Sequence, residues 1–144
     1  MKFSDDLVRY ASALVGPSDA PDLVADMFVS LLRRGDETWS TVREPRAYLF
    51  RSTTNAARMH VRGRLRRHGR EVAWSSGVPA GELTSDPLVG AALNGLSVRQ
   101  RAAVFLTYWE DLSVDEVARR MGISEGAVKR HLARGRSGLR EVLT

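Results

Sequence analysis

The sequence predicts an all-α chain of two small helical domains joined by a flexible linker, and three observations lead there. Apolar residues recur three and four positions apart through most of the 144 residues, the spacing of a buried helix face. Ser97 with Gln100, and Ser113 with Glu116, stand in the capping-box spacing that marks a helix start. Residues 71–86, EVAWSSGVPAGELTSD, combine Gly, Pro and Ser without sustained periodicity, as a linker does. The domains so divided are 1–70, with three helices, and 87–144, with four.

In the first domain Ser4 is placed to cap a helix carrying Leu7, Tyr10, Ala11, Leu14 and Val15, which the Gly16-Pro17 pair ends. Ser18 or Asp19 opens a second helix that runs to Arg34. It sets Leu23, Met27 and Leu31 on one face, with Val24, Phe28 and Leu32 beside them. Asp19, Asp22 and Asp26 lie toward its N-terminal end and Arg33 and Arg34 at the other, a pattern that complements the helix dipole or serves a partner. Pro45 suits the first turn of a third helix, extended to about Arg67 despite the poor helix formers Ser52, Thr53 and Thr54. Its second half, RMHVRGRLRRHGR, is a cationic strip. With the adjoining Tyr48, Phe50 and Asn55 it offers charge, stacking and hydrogen bonding, which together suit an unpaired nucleic-acid strand.

In the second domain Pro87 starts a helix with Leu88, Ala92 and Leu96. Ser97 caps the next, whose stripe Val98, Ala102, Phe105, Leu106 and Trp109 is a core face. Val114, Val117, Ala118 and Met121 make a third apolar face, and Gly122 follows as a natural left-handed residue. Ser124 can then cap a last helix. Val128, Leu132, Leu139 and Leu143 line one side of it while Arg130, Arg134 and Ser137 point the other way, flanked by Lys129 and Arg140. The last two helices read as a helix-turn-helix, since a guanidinium-bearing face opposite a core face is what major-groove reading requires.

The net charge of +5 and pI near 10.4 point to a polyanion partner, and the distribution says more than the total. Residues 1–42 carry a net −3, 43–70 a net +8, 71–118 a net −5 and 119–144 a net +5. Two basic segments, each after an acidic one, imply two nucleic-acid contacts and two surfaces left for another partner. Only Lys2 and Lys129 are lysines, so bidentate phosphate and guanine contacts are favoured. The absence of cysteine excludes disulfides and thiolate metal sites. His60, His68 and His131 lack companions at ligand spacing, so neither metal nor cofactor is expected. No apolar run approaches the ~20 residues that span a bilayer and there is no signal peptide, which reads as a cytoplasmic chain without a membrane partner. No P-loop, activated nucleophile or paired-carboxylate site suggests an enzyme.

These residues resemble a compact bacterial sigma factor of the extracytoplasmic-function (ECF) type. DAPDLVADMF at Asp19 to Phe28 is similar to the family's acidic helix that docks on RNA polymerase, which implies docking roles for Asp19, Asp22, Asp26 and Phe28. PRAYLFRSTTNAARMHVRGRLRR at Pro45 to Arg67 resembles the helix that captures and opens the −10 promoter element, implying contacts from Asn55, Arg58, Arg62 and Arg66. Leu93 to Leu143 resembles the −35-binding domain, implying DNA contacts from Ser124, Glu125, Lys129, Arg130, Arg134 and Arg140. Core RNA polymerase and promoter DNA are the partners this implies, and an anti-sigma protein is a further candidate. The chain departs from the family pattern at Ala25, where glutamine is usual, at Ser52, where a large aliphatic residue is, and at Met59, where aspartate is. Two other readings stay open. One is a stand-alone helix-turn-helix regulator, the other a sigma-like adaptor that does not itself initiate transcription.

Overall fold

The computed structural model describes residues 2–35, 41–75 and 95–143, and within them the chain is helical with no strand. In chain order the helices are α1 (Lys2–Val15), α2 (Ala20–Arg34), α3 (Pro45–Ser75), α4 (Val98–Tyr108), α5 (Val114–Met121) and α6 (Glu125–Leu143). The helix expected from Pro87 falls almost wholly outside the described residues.

Helix α1 begins at Lys2, so Ser4 sits inside it rather than capping it. It stops where expected. Gly16 takes φ 96°, open to glycine at little cost, and Pro17 has no N–H to continue the hydrogen-bond ladder. Leu7, Tyr10, Ala11, Leu14 and Val15 are all buried. In α2, Pro21 is tolerated in the first turn and Leu23, Val24, Met27 and Leu31 face inward. Leu32 does not join them and is 73% exposed.

Helix α3 keeps Thr53 and Thr54 in its interior because both hydroxyls are satisfied there. Thr53 Oγ1 donates to the Leu49 carbonyl at 2.8 Å with Met27 Sδ 3.1 Å away. Thr54 Oγ1 donates to the Phe50 carbonyl at 2.9 Å and accepts the Tyr10 hydroxyl at 2.6 Å. The two threonines thus tie α3 to α1 and α2. The helix also outruns its expected end at Arg67 and takes in Glu71–Ser75 of the stretch expected to be linker. Arg, Glu and Ala are good helix formers, and in this stretch they outweigh the single break at Gly69.

The two sets of helices do not build separate cores. Tyr10 lies 5.0 Å from the Phe50 ring and 6.0 Å from the Phe105 ring, which joins α1, α3 and α4 in one apolar cluster continuous with α2, α5 and α6. The physical reason is surface-to-volume scaling: a unit of about 60 residues buries only about 60% of its unfolded surface, so pooling two such units removes more apolar area from water. Helix α6 approaches α4 closely through Gly135, where a Cβ would fall 2.9 Å from Val104 Cγ2.

Candidate nucleic-acid interface

The helix-turn-helix forms as its local chemistry dictates. Ser113 Oγ accepts the Glu116 N–H at 3.4 Å to start α5. The reciprocal box is complete only at α4, where Ser97 and Gln100 exchange side-chain to backbone bonds of 3.2 Å each. Gly122 ends α5 at φ 69°, ψ 36°, and its N–H reaches the Ala118 carbonyl at 2.8 Å. Two residues later Ser124 Oγ accepts the Ala127 N–H at 3.1 Å and starts α6. Val128 and Leu132 of α6 are buried, which fixes the rotation of the helix. Glu125, Lys129, Arg130, Arg134 and Arg140 are consequently exposed on its other side. The Arg130 guanidinium leans back over Gly126, within 3.8 Å of where a Cβ would stand. That places its donors at the N-terminal turn, the part of a recognition helix that meets base edges.

On α3, Asn55, Arg58, Arg62 and Arg66 are spaced by three, four and four residues and so share one face. Arg58 is half-buried and the other three are exposed. Burial, with Arg99 and Arg62 close by, lowers the pKa of Arg58. Phe50, read from sequence as a stacking group beside this stripe, is 3% exposed and belongs to the core. The Arg46 and Arg120 guanidinium groups lie 5.6 and 5.0 Å from its ring centroid, an arrangement favourable to cation and ring alike. Tyr48 is half-buried against the same cluster. The apolar group that does stand open beside Asn55 is Met59, 71% exposed.

The acidic residues of α2 divide into two kinds. Asp22 and Asp26 are exposed and one helical turn apart, and the exposed Val29 and Leu32 lie further along the same helix. Asp19 sits at the N-cap position without capping. Its Oδ2 lies 3.1 Å from His60 Nε2 and 3.4 Å from Arg64 Nη1, so it ties α2 to α3. Phe28 is likewise turned toward the core, half-buried, rather than presented outward. Between α2 and α3 runs a groove of about 460 Å³ lined by Asp22, Asp26, Met27, Met59 and His60 among others.

Sequence reading missed Arg99 and Arg101 of α4. Arg101 is 4% exposed, and burial lowers its pKa to about 10. Its position three residues after Val98 and four before Phe105, within the apolar stripe, was the available signal. Among the described residues no group of His, Cys, Asp or Glu could hold a metal ion, and no helix is long and apolar enough to cross a membrane.

His131 on α6 has its Nδ1 buried without a partner, and burial with Arg99, Arg134 and Arg130 nearby lowers its pKa from the usual 6.5. The unfolded chain therefore takes up this proton at higher pH than the folded one, and stability is lost as pH falls below about 6.5. His131→Gln should flatten the decline in melting temperature between about pH 7.5 and 5.5, read as the difference between the two proteins' melting profiles.

Compared with known proteins, residues 1–67 match the family model for Sigma-70 region 2, and residues 88–139 that for Sigma-70 region 4. The RNA polymerase sigma-E factor of Streptomyces coelicolor is 32% identical over an alignment covering 96% of this chain and 80% of that protein. ECF RNA polymerase sigma factor SigL of Mycobacterium tuberculosis is also 32% identical, over 88% of this chain and 76% of its own. The chain belongs to the ECF sigma factors. FecI, the ferric citrate uptake sigma factor of Escherichia coli, is 31% identical over 81% of this sigma factor and 71% of its own length. Among solved structures, sigma factor RpoE of Bartonella quintana, in complex with the anti-sigma factor NepR, superposes with a TM-score of 0.63 at 28% identity. That match covers 99% of this sigma factor and 92% of RpoE.

Proposed function

We propose that this sigma factor binds core RNA polymerase and directs promoter-specific initiation, with α6 on the −35 element and α3 on the −10 element. The observation that carries it is the presence of two exposed DNA-competent faces, Asn55 to Arg66 on α3 and Glu125 to Arg134 on α6, within the two family regions in their expected order. In this reading residues 1–70 dock on polymerase and hold the −10 strand, 71–86 connect, and 87–144 read the −35 duplex. The work is done in the cytoplasm and is positional. Polymerase performs the chemistry, and the chain selects where it begins. Each DNA contact raises the effective concentration of the other, so neither has to be tight alone.

On α6, Ser124, Glu125, Lys129 and Arg130 stand nearest the base edges, with Arg134 and Arg140 nearer phosphate. On α3, Asn55 holds an unstacked base, Met59 offers it an apolar surface, and Arg58, Arg62 and Arg66 follow the backbone. Asp22 and Asp26 form the polymerase-facing charge. As in the RpoE complex with NepR, an anti-sigma protein is a fitting further partner.

Purified chain added to core RNA polymerase and a promoter library tests this directly. A sigma factor yields new transcript starts. DNA binding without core would mean a stand-alone regulator, and core binding without starts would mean an adaptor. Within the selected promoters, Arg130→Ala should relax base preference in the −35 element by about 1–3 kcal/mol of discrimination. Arg134→Ala should weaken binding across sequences and flatten its salt dependence. Footprints unchanged in both would place the recognition surface elsewhere.

A further inference from the structure

The middle of α6 rests on the first turn of α4. A Cβ at Gly135 would stand 3.9 Å from the Gln100 carbonyl oxygen, so the residues of α6 within a turn of Gly135 lie over the start of α4. Arg99 occupies that start. It is half-buried in the first turn of the helix, where a cation opposes the positive end of the helix dipole. Its neighbours across the contact are His131, Arg134 and Arg130, and Arg58 of α3 adds a further positive charge. None of these side chains is ion-paired among the described residues. Stability of the fold therefore does not account for Arg99, whereas an anion bound among these groups would.

The rotation of α6 shows which anion reaches them. Counting about 100° per residue from the side that Val128, Leu132 and Gly135 bury, His131 stands about 70° round the helix, Arg134 about 130° and Arg130 about 170°, all in the same sense. A cationic band thus runs from the outward face of α6, round one flank, to Arg99. The DNA major groove is about 12 Å wide and a helix with its side chains is about 10–12 Å across, so a helix seated there has its flanks against the sugar-phosphate walls. Arg130 then faces the floor of the groove, and Arg134, His131 and Arg99 face one wall. On that flank His131 keeps its Nδ1 buried and without a hydrogen-bond partner. Only an anion offsets the three arginines around its ring.

We propose that Arg99, with Arg134 and His131, forms a phosphate site that grips the backbone of one DNA strand beside the −35 element. The residues at the start of α6 choose the sequence, while this flank fixes how the helix sits in the groove, and protonation of His131 tightens the grip. That the duplex is a −35 element rests on the sigma reading above. The site itself rests on the unneutralised charges and the rotation of α6.

Holoenzyme assembled from core polymerase and the full chain, titrated with promoter duplex across a range of salt concentrations, tests the site. Arg99→Gln should weaken binding about tenfold, the scale of a lost charge-assisted hydrogen bond. It should also reduce the slope of log affinity against log salt by about one. The loss should be equal for a matched and a scrambled −35 element, because phosphate carries no sequence information. Arg99→Lys should restore the slope. The melting temperature of Arg99→Gln should hold or rise, since repulsion is relieved. As pH falls from about 7.5 to 5.5 the unaltered chain should gain affinity relative to His131→Gln, because a neighbouring phosphate favours the imidazolium. An unchanged salt slope in Arg99→Gln, a loss confined to one sequence, or a lowered melting temperature would overturn the site, and parallel pH profiles would overturn the part given to His131. The same titration of the free chain at low salt reads the site without core. A chain that never binds core therefore overturns the sigma reading and leaves the phosphate site to be decided on duplex alone.

Discussion

Replacing Asp22 and Asp26 together with lysine should abolish association with core RNA polymerase, read by comigration of the labelled chain with core on a native gel. Both carboxylates are exposed and one turn apart on α2, free of the intramolecular tie that holds Asp19. Like charges set against each other at an interface cost several kcal/mol, which is more than a hundredfold in affinity. The same change costs the helix much less, about 0.3–1 kcal/mol for each side chain near the dipole. Fold and docking can therefore be told apart in one variant. Lost binding with a nearly unchanged melting temperature supports a docking face, while retained binding with a lowered melting temperature assigns these carboxylates to helix stabilisation. Asp19→Lys should behave differently, because it breaks the contact with His60 and Arg64 and loosens α2 from α3.

Phe105→Ala should destabilise the whole chain by about 3–5 kcal/mol, the usual cost of emptying a buried aromatic site. Phe105 is 2% exposed and touches Tyr10 of α1 and Trp109, with ring centroids 6.0 and 6.2 Å away, while the Arg9 guanidinium lies over its face. A protein with 5–15 kcal/mol of total stability loses a large share of it at this one position. Circular dichroism melting should show a single transition moved down by about 10 °C or more. Two separated transitions would mean that the N- and C-terminal helices keep cores of their own. Tyr10→Phe should have a smaller effect in the same direction, since it removes only the hydroxyl that bonds Thr54.

What the sequence made readable was local. Gly16-Pro17, Pro45, Ser97, Gly122 and Ser124 mark helix ends through backbone conformation and capping, and the structure places helix ends at each of them. The exposed faces of α3 and α6 were readable for the same reason, because spacing of three and four fixes which residues share a side. The tertiary partners were not. Phe50 follows Tyr48 in a basic stretch and invites a role in stacking, but its burial is decided by Tyr10, forty positions away. Arg101 went unread, and only the end of α1, where its guanidinium lies 3.5 Å from the Ala13 and Leu14 carbonyl oxygens, shows why a cation belongs there. Leu32 sits in an apolar run and is exposed, which no periodicity forecasts. The extension of α3 to Ser75 was hidden by Gly69 and the Gly, Pro and Ser that begin just beyond it.

The tie between Asp19 and α3 bears on attempts to use the acidic helix by itself. Within the protein, α2 has no side-chain cap of its own at Asp19 and takes its start from His60 and Arg64. A synthetic peptide cut from residues 17–35 would lose that anchorage. Helices of about 15 residues are marginal in water even for favourable sequences. Such a peptide would be mostly coil and a poor competitor for the polymerase surface. Asp19 is already among the best N-cap residues, so a useful mimic would need a covalent staple across the face that Leu23 and Met27 bury.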